Sequence, residues 1–203
     1  MVLNEWSPPA AVVDVAATTT ARLSLRAPRD ADLDLLVQLH NDPSVTRFCA
    51  CVTPQGRLAT QEQLQSWLMH WKREGFGHWA ITTHDKPEQP IGFGGLMRRS
   101  VGGQSGLYLY YRIAPQAWGR GYAAEMMLQA LSLAFDQLHE STVYAAVLPA
   151  NMPTRKTLEQ IGLRLQGSLA DTPGRAASLL YEASVNRWAG MPAQQPQAIA
   201  FTA

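Results

Sequence analysis

The chain has 203 residues, enough for one domain with long ends and too few for two full domains. With 46% hydrophobic and 16% charged residues it can fill a sizeable core, which excludes disorder over most of its length. Seventeen Lys and Arg against sixteen Asp and Glu leave a net charge of +1, which excludes binding to nucleic acid or to an anionic membrane through bulk charge. No run approaches the roughly 18 apolar residues that a membrane-spanning helix needs. Met1 to Ala17 lacks a basic leader and carries Asp14 in its apolar run, so no secretory signal is expected and the cytoplasm is the expected compartment.

Residues 1–19, rich in Ala, Pro and Thr, and residues 190–203 have no apolar period and are expected as flexible tails around one domain at 20–189. Ala21 to Ala27 alternates and reads as a first strand. Asp30 then caps a helix to about Asn41, with Leu33, Leu36, Val37 and Leu39 on one face. Thr60 and Gln63 have capping-box spacing and open a second helix that turns Leu64, Trp67, Leu68 and Trp71 inward and ends at Gly75 and Gly77. Between these helices lie Cys49 and Cys51, too close for an easy disulfide and without the partners of a zinc site, so both are expected as buried or half-buried thiols.

His78 to Thr83 and Ile91 to Met97 read as two strands joined by a turn, and Gly106 to Ile113 as a further strand. Tyr122 to Leu138 is the most apolar helix, with Met126, Met127, Ala130, Leu131, Ala134 and Phe135 in a wide buried face. Thr142 to Leu148 is a strand and Pro153 to Ile161 a helix capped by Asn151. Gly167 to Ala170 with Ser178 to Arg187 makes a closing hairpin. The fold class expected from this order is mixed α/β.

The chemistry concentrates at 112–125, where a strand ends in a glycine-containing turn that opens a buried helix. Gly119 and Gly121 let successive N–H groups converge, the helix dipole adds to them, and Arg120 brings a charge to the rim, a combination suited to a pyrophosphate. A tight turn without a ligand is the plainer reading of the same glycines. A Walker loop fails, because Gly121 is followed by Tyr122 and Ala123. The relaxed dinucleotide fingerprint fits Gly119 to Ala124, and a nicotinamide-dependent oxidoreductase follows from it. That fingerprint also calls for an acidic residue after the next strand, and here the strand ends Val147-Leu148-Pro149-Ala150.

Gln116-x-x-Gly119-x-Gly121-Tyr122-Ala123-x-Glu125, then a strand, then Asn151-x-x-Thr154-x-x-x-Leu158-Glu159-x-x-Gly162-Leu163, resembles the GNAT superfamily of acetyl-CoA-dependent N-acetyltransferases, in its RimJ/RimL-like branch of ribosomal-protein alanine acetyltransferases. The resemblance covers about 21–188. It implies a mostly antiparallel sheet splayed between its fourth and fifth strands and flanked by about four helices, with acetyl-CoA as co-substrate and no metal. It places the pantetheine arm in the splay on backbone groups of Arg112 and Ile113. It places the pyrophosphate on the N–H groups of Trp118, Gly119, Arg120, Gly121, Tyr122 and Ala123, with Gln116 setting the turn and Asn151 beside the coenzyme.

The reaction so implied is transfer of acetyl to a primary amine, which attacks the thioester directly in a ternary complex. Thr154 stands where this branch places a serine that donates a proton to the leaving thiolate; capping of its helix competes as an explanation. The tyrosine other branches use for this is Leu158 here. The strand glutamate that relays the amine proton in many relatives falls at Tyr108, a poor acceptor with an ordinary pKa of about 10. Water, His78 and His84 are the other routes for that proton, and a non-catalytic acyl-CoA sensor is the reading that a missing acid favours. Glu125 reads as a helix-dipole partner. Trp67, Trp71 and Trp79 read either as core or as an acceptor lining. The expected partner is a small amine or a protein N-terminus, and a homodimer is common in the resembled family.

Overall fold

The fold is described from a computed structural model, over residues 16–47, 56–101, 103–169 and 177–190. One eight-stranded sheet runs in the order β1-β2-β3-β4-β5-β6-β8-β7. Its strands are β1 (Ala17–Thr19), β2 (Leu23–Arg26), β3 (His78–Thr83), β4 (Gly92–Val101), β5 (Gln104–Ile113), β6 (Thr142–Val147), β7 (Arg164–Leu169) and β8 (Ser178–Ser184). Every neighbouring pair is antiparallel except β5 and β6, which are parallel. The helices are α1 (Leu33–Asn41), α2 (Pro43–Thr46), α3 (Arg57–Glu74), α4 (Tyr122–Ser132), α5 (Met152–Gln160) and α6 (Val185–Ala189).

The sheet is covered on both faces. Strand β3 is therefore buried at all six positions, with Trp79 and Ile81 in a core shared with α4 and Ala80 in a second core shared with α1 and α3. Along β5 the same alternation sends Leu107, Leu109, Tyr111 and Ile113 to the α4 face and Tyr110 to the α1–α3 face. Consecutive tyrosines 110 and 111 thus serve opposite sides of one sheet.

Several elements differ from the sequence reading. Ala17–Thr19, grouped there with the N-terminal tail, pair with Ser24 to Arg26 as an edge strand. Helix α3 begins at Arg57 rather than Thr60: Gly56 is the N-cap, and the Thr60 hydroxyl is turned inward against His40 Nδ1 at 3.3 Å instead of capping. Past Ser132, α4 widens into a π-turn over Leu133–Gln137. The last strand stops at Ser184, where α6 begins. Cys49 and Cys51, and most of both tails, lie outside the described residues.

Candidate active site

Strand β5 meets its two neighbours very differently. Toward β4 it forms ten consecutive residue pairs, from Gly92↔Ile113 to Val101↔Gln104. Toward β6 it forms two, Leu107↔Val143 and Tyr108↔Tyr144. Beyond Tyr108 the parallel strands separate. The Ala114 N–H donates to the Ile91 carbonyl at 2.8 Å, which sets the phase of the β4 ladder. By alternation, 108, 110 and 112 turn their amides to β4, and 109, 111 and 113 turn theirs to β6. The open edge therefore belongs to Tyr111 and Ile113. Arg112, which the resemblance had placed there, directs its main chain into the closed ladder, and its guanidinium carbon lies 5.9 Å from the Tyr110 ring centre.

At the end of β5 the chain makes a 3₁₀ turn at Pro115–Ala117 and enters α4 through Gly119 (φ 71°) and Gly121 (φ 75°), conformations that strain any residue with a Cβ. The Trp118 indole donates to the Ile113 carbonyl at 2.7 Å and the Trp118 N–H to the Pro115 carbonyl at 3.1 Å. That N–H is therefore spent inside the turn and is not a phosphate donor, as the resemblance had it. Gln116 is exposed, and the bonds that close the turn come from Ala117 and Trp118. The first main-chain bond of α4 runs from Glu125 N–H to the Gly121 carbonyl, so the N–H groups of Tyr122, Ala123 and Ala124 point out of the helix end. With Gly119, Arg120 and Gly121 before them, they stand at the positive end of a helix dipole, an arrangement of the kind that suits an anion.

Glu125 sits one turn into α4, 6% exposed, and collects donors from the other end of the chain. Its Oε1 accepts from the Thr20 hydroxyl at 2.5 Å and the Arg22 N–H at 2.8 Å, and its Oε2 accepts from Arg22 Nε at 2.7 Å and Nη2 at 2.6 Å. Sequence reading found Glu125 as a dipole partner; its actual partners, more than a hundred residues away, leave no local signal.

Across the splay stands α5. The Asn151 side chain accepts from the Thr154 N–H at 3.2 Å, so Asn151 is the N-cap and is committed to the helix start rather than shown beside a coenzyme. Thr154 contributes only its main chain to that cap, and its hydroxyl is hydrogen-bonded to the Tyr111 hydroxyl at 2.7 Å. Burial raises the Tyr111 pKa, with the Thr154 bond acting the opposite way, so the phenol stays protonated. This pair joins the open edge of β5 to the first turn of α5. The Tyr181 hydroxyl steadies α5 from β8, accepting from Arg155 Nε at 3.2 Å and donating to Glu159 at 2.8 Å.

Tyr108 is elsewhere. It is 2% exposed, its hydroxyl donates to the Gln104 carbonyl at 2.9 Å, and its ring lies 5.6 Å from that of Tyr144. Burial raises its pKa, which argues against the proton-acceptor role that alignment with the resembled family gave it. His84 Nε2 contacts the Leu23 carbonyl at 3.0 Å, on the β2 side. His78 is 4% exposed, stacked on Tyr110 at 4.7 Å and edge-on to Trp67 at 4.8 Å, and neither ring nitrogen has a hydrogen-bond partner among the described residues. The stack spans Gly95, which pairs with His78 on one side and Tyr110 on the other and has no side chain to separate the rings. Desolvation drives the His78 pKa from 6.5 down to about 3, so the ring is neutral. Trp67, Trp71 and Trp79 are all buried, Trp67 in the core shared with α1 and α3 and the other two in the core shared with α4, so they do not gather into one lining.

Among the described residues no group of His, Cys, Asp and Glu is placed to hold a metal ion, and no helix is long and apolar enough to cross a membrane. Residues 22–164 match the family described as the acetyltransferase (GNAT) domain. An uncharacterized N-acetyltransferase p20 of Bacillus licheniformis is 26% identical over 153 residues, covering 75% of this chain and 84% of its own. An acetyltransferase crystal structure from Agrobacterium tumefaciens superposes with a TM-score of 0.71 at 22% identity, over 83% of this chain and 94% of that one. RimL, a ribosomal L7/L12 alpha-N-protein acetyltransferase in complex with coenzyme A, superposes at 0.66 with 15% identity, over 84% and 98%. At those identities the structures speak for the fold alone, and RimL is one neighbour among several, so the branch within the superfamily is not fixed by them. The family match covers the splayed strands, the glycine turn and α5 in their order along the chain, and on that ground the chain belongs to the GNAT acetyltransferase family.

Proposed function

We propose that this chain transfers acetyl from acetyl-CoA to a primary amine by direct attack in a ternary complex, with the Tyr111–Thr154 hydroxyl pair supplying the proton to the departing thiolate. The observation that carries the reading is the contrast along β5, ten residue pairs on one edge and two on the other, with the hydroxyl pair on the open side. Tyr111 and Ile113 offer amide groups to a pantetheine arm in that opening, and Gly119 to Ala124 offer N–H groups to a pyrophosphate. The amine nitrogen bonds to the thioester carbon as the carbon–sulfur bond breaks. Thr154 hands its hydroxyl proton to sulfur and recovers one from Tyr111, while the proton that the amine nitrogen sheds as the amide forms passes to water, from which Tyr111 regains the protonated state its burial favours. We place the reaction in the cytoplasm, with a small amine or a protein N-terminus as acceptor.

The test is release of free thiol from acetyl-CoA across a panel of amino acids, polyamines, aminoglycosides and N-terminal peptides, with the acetylated product identified by mass. Release with an N-acetylated product supports the transferase. Coenzyme binding with no release on any amine would move the assignment to an acyl-CoA sensor.

A further inference from the structure

We propose that Arg22 is a positioning residue for the coenzyme, acting by fixing the direction of the Gly121 N–H. The proposal rests on the coenzyme reading above and brings to that site a residue from the other end of the domain. Arg22 precedes β2, and although its side chain is 50% exposed, all three guanidinium nitrogens are engaged. Nε and Nη2 hold the Glu125 carboxylate at 2.7 and 2.6 Å, while Nη1 donates to the Arg120 carbonyl at 2.8 Å, and the guanidinium lies 5.0 Å from the centre of the Tyr122 ring.

The peptide joining Arg120 to Gly121 is trans, so its carbonyl and its N–H point in opposite directions. Drawing the Arg120 carbonyl toward Arg22 therefore turns the Gly121 N–H away from it. Residue 121 is a glycine at φ 75°, for which rotating this peptide carries little steric cost. A rotated peptide would present a carbonyl oxygen where an anion needs an N–H. The Arg22 contact to Arg120 opposes that rotation. Arg22 is not itself a free cation for phosphate, since the carboxylate of Glu125, with a side chain 4% exposed, answers its charge. Glu125 in turn is held by Thr20, so the chain from Thr20 through Glu125 and Arg22 to Arg120 ties β2 to the mouth of α4.

Two variants separate this role from packing. Arg22→Lys keeps a cation beside Glu125 but loses the fork that reaches Arg120 at the same time. Arg22→Met combined with Glu125→Met removes both charges, so no buried carboxylate is left unpaired if the single variant folds poorly. Each is titrated calorimetrically with acetyl-CoA and with S-acetyl-pantetheine, which carries the same thioester arm and no pyrophosphate, alongside a thermal unfolding scan. Expected is a loss of about tenfold in acetyl-CoA affinity, the scale of one charge-assisted hydrogen bond, with S-acetyl-pantetheine unchanged. Equal weakening of both ligands, or no weakening of either, overturns the proposal. Failure of the unaltered chain to bind acetyl-CoA would remove the coenzyme reading itself, a result distinct from binding that survives Arg22→Lys intact.

Discussion

The two edges of β5 divide the molecule into a closed half and an open half. On the closed side, β2, β3, β4 and β5 pair without a break and bury aromatic and apolar side chains on both faces; Gly92 allows the closest approach, since a Cβ there would stand 2.4 Å from the Arg112 carbonyl oxygen. On the open side, two residue pairs join β5 to β6, and beyond them the Tyr111 and Thr154 hydroxyls link β5 to the start of α5. A single strand thus anchors the core with one edge and exposes chemistry with the other. Substitutions on the closed side should read out in stability, and substitutions on the open side in coenzyme affinity or turnover.

The largest expected effect is on the closed side and concerns pH. His78 binds a proton far less readily when folded, with a pKa of about 3, than when unfolded, where 6.5 applies. Its contribution to stability is full above pH 6.5 and is lost as pH falls from there toward 3, by about 5 kcal/mol over the window. The groups that bear on it, Arg99 and His70, are cationic or become so in acid and act in the same direction. Urea unfolding from pH 7 to pH 4 should show this slope in the unaltered chain and a much flatter one in His78→Leu. Parallel slopes would contradict it.

On the open side, Gly121→Val places a branched side chain at φ 75° and is expected to weaken acetyl-CoA at least about a hundredfold at coenzyme concentrations where the chain is folded, with the strain of that conformation also costing stability on the order of 1–3 kcal/mol in urea unfolding. Next come Tyr111→Phe and Thr154→Ala, each expected to lower turnover by about 10- to 50-fold with acetyl-CoA affinity held. Thr154→Ala leaves the cap intact, because the cap uses the Asn151 side chain and the Thr154 main chain. Loss of turnover there therefore reports on the hydroxyl. The smallest effect belongs to Asn151→Ala, about 1 kcal/mol of stability from the lost cap, measured by the same urea unfolding.

The glycine turn and the helix start facing it were legible from sequence because their determinants are local: Gly119 and Gly121 before a strongly apolar helix, and Asn151 before Pro153 at the start of α5. The α/β class and most strands followed from alternation. What escaped depended on distant partners. Ala17–Thr19 has no apolar period and becomes a strand because β2 supplies its hydrogen bonds. Thr60 carries a capping signature, yet its hydroxyl faces His40, brought near by the α1–α3 contact. Alternation assigns Tyr111 to a face but not to Thr154, 43 residues on. Arg22 in a first strand looks like any exposed arginine until Glu125 and Arg120 fold against it. Tyr108, chosen by alignment to a family position, turned out to donate to its own strand's backbone.

The central claim is that the open edge of β5 is where the coenzyme lies, and amide hydrogen exchange resolved by residue tests it most directly, with and without acetyl-CoA. The account predicts that Tyr110 and Arg112 exchange slowly in both states, while Tyr111, Ile113 and the amides at 121–124 exchange fast alone and slowly with the coenzyme bound. Slow exchange at Tyr111 and Ile113 without coenzyme, or no change on saturation with it, would contradict the account.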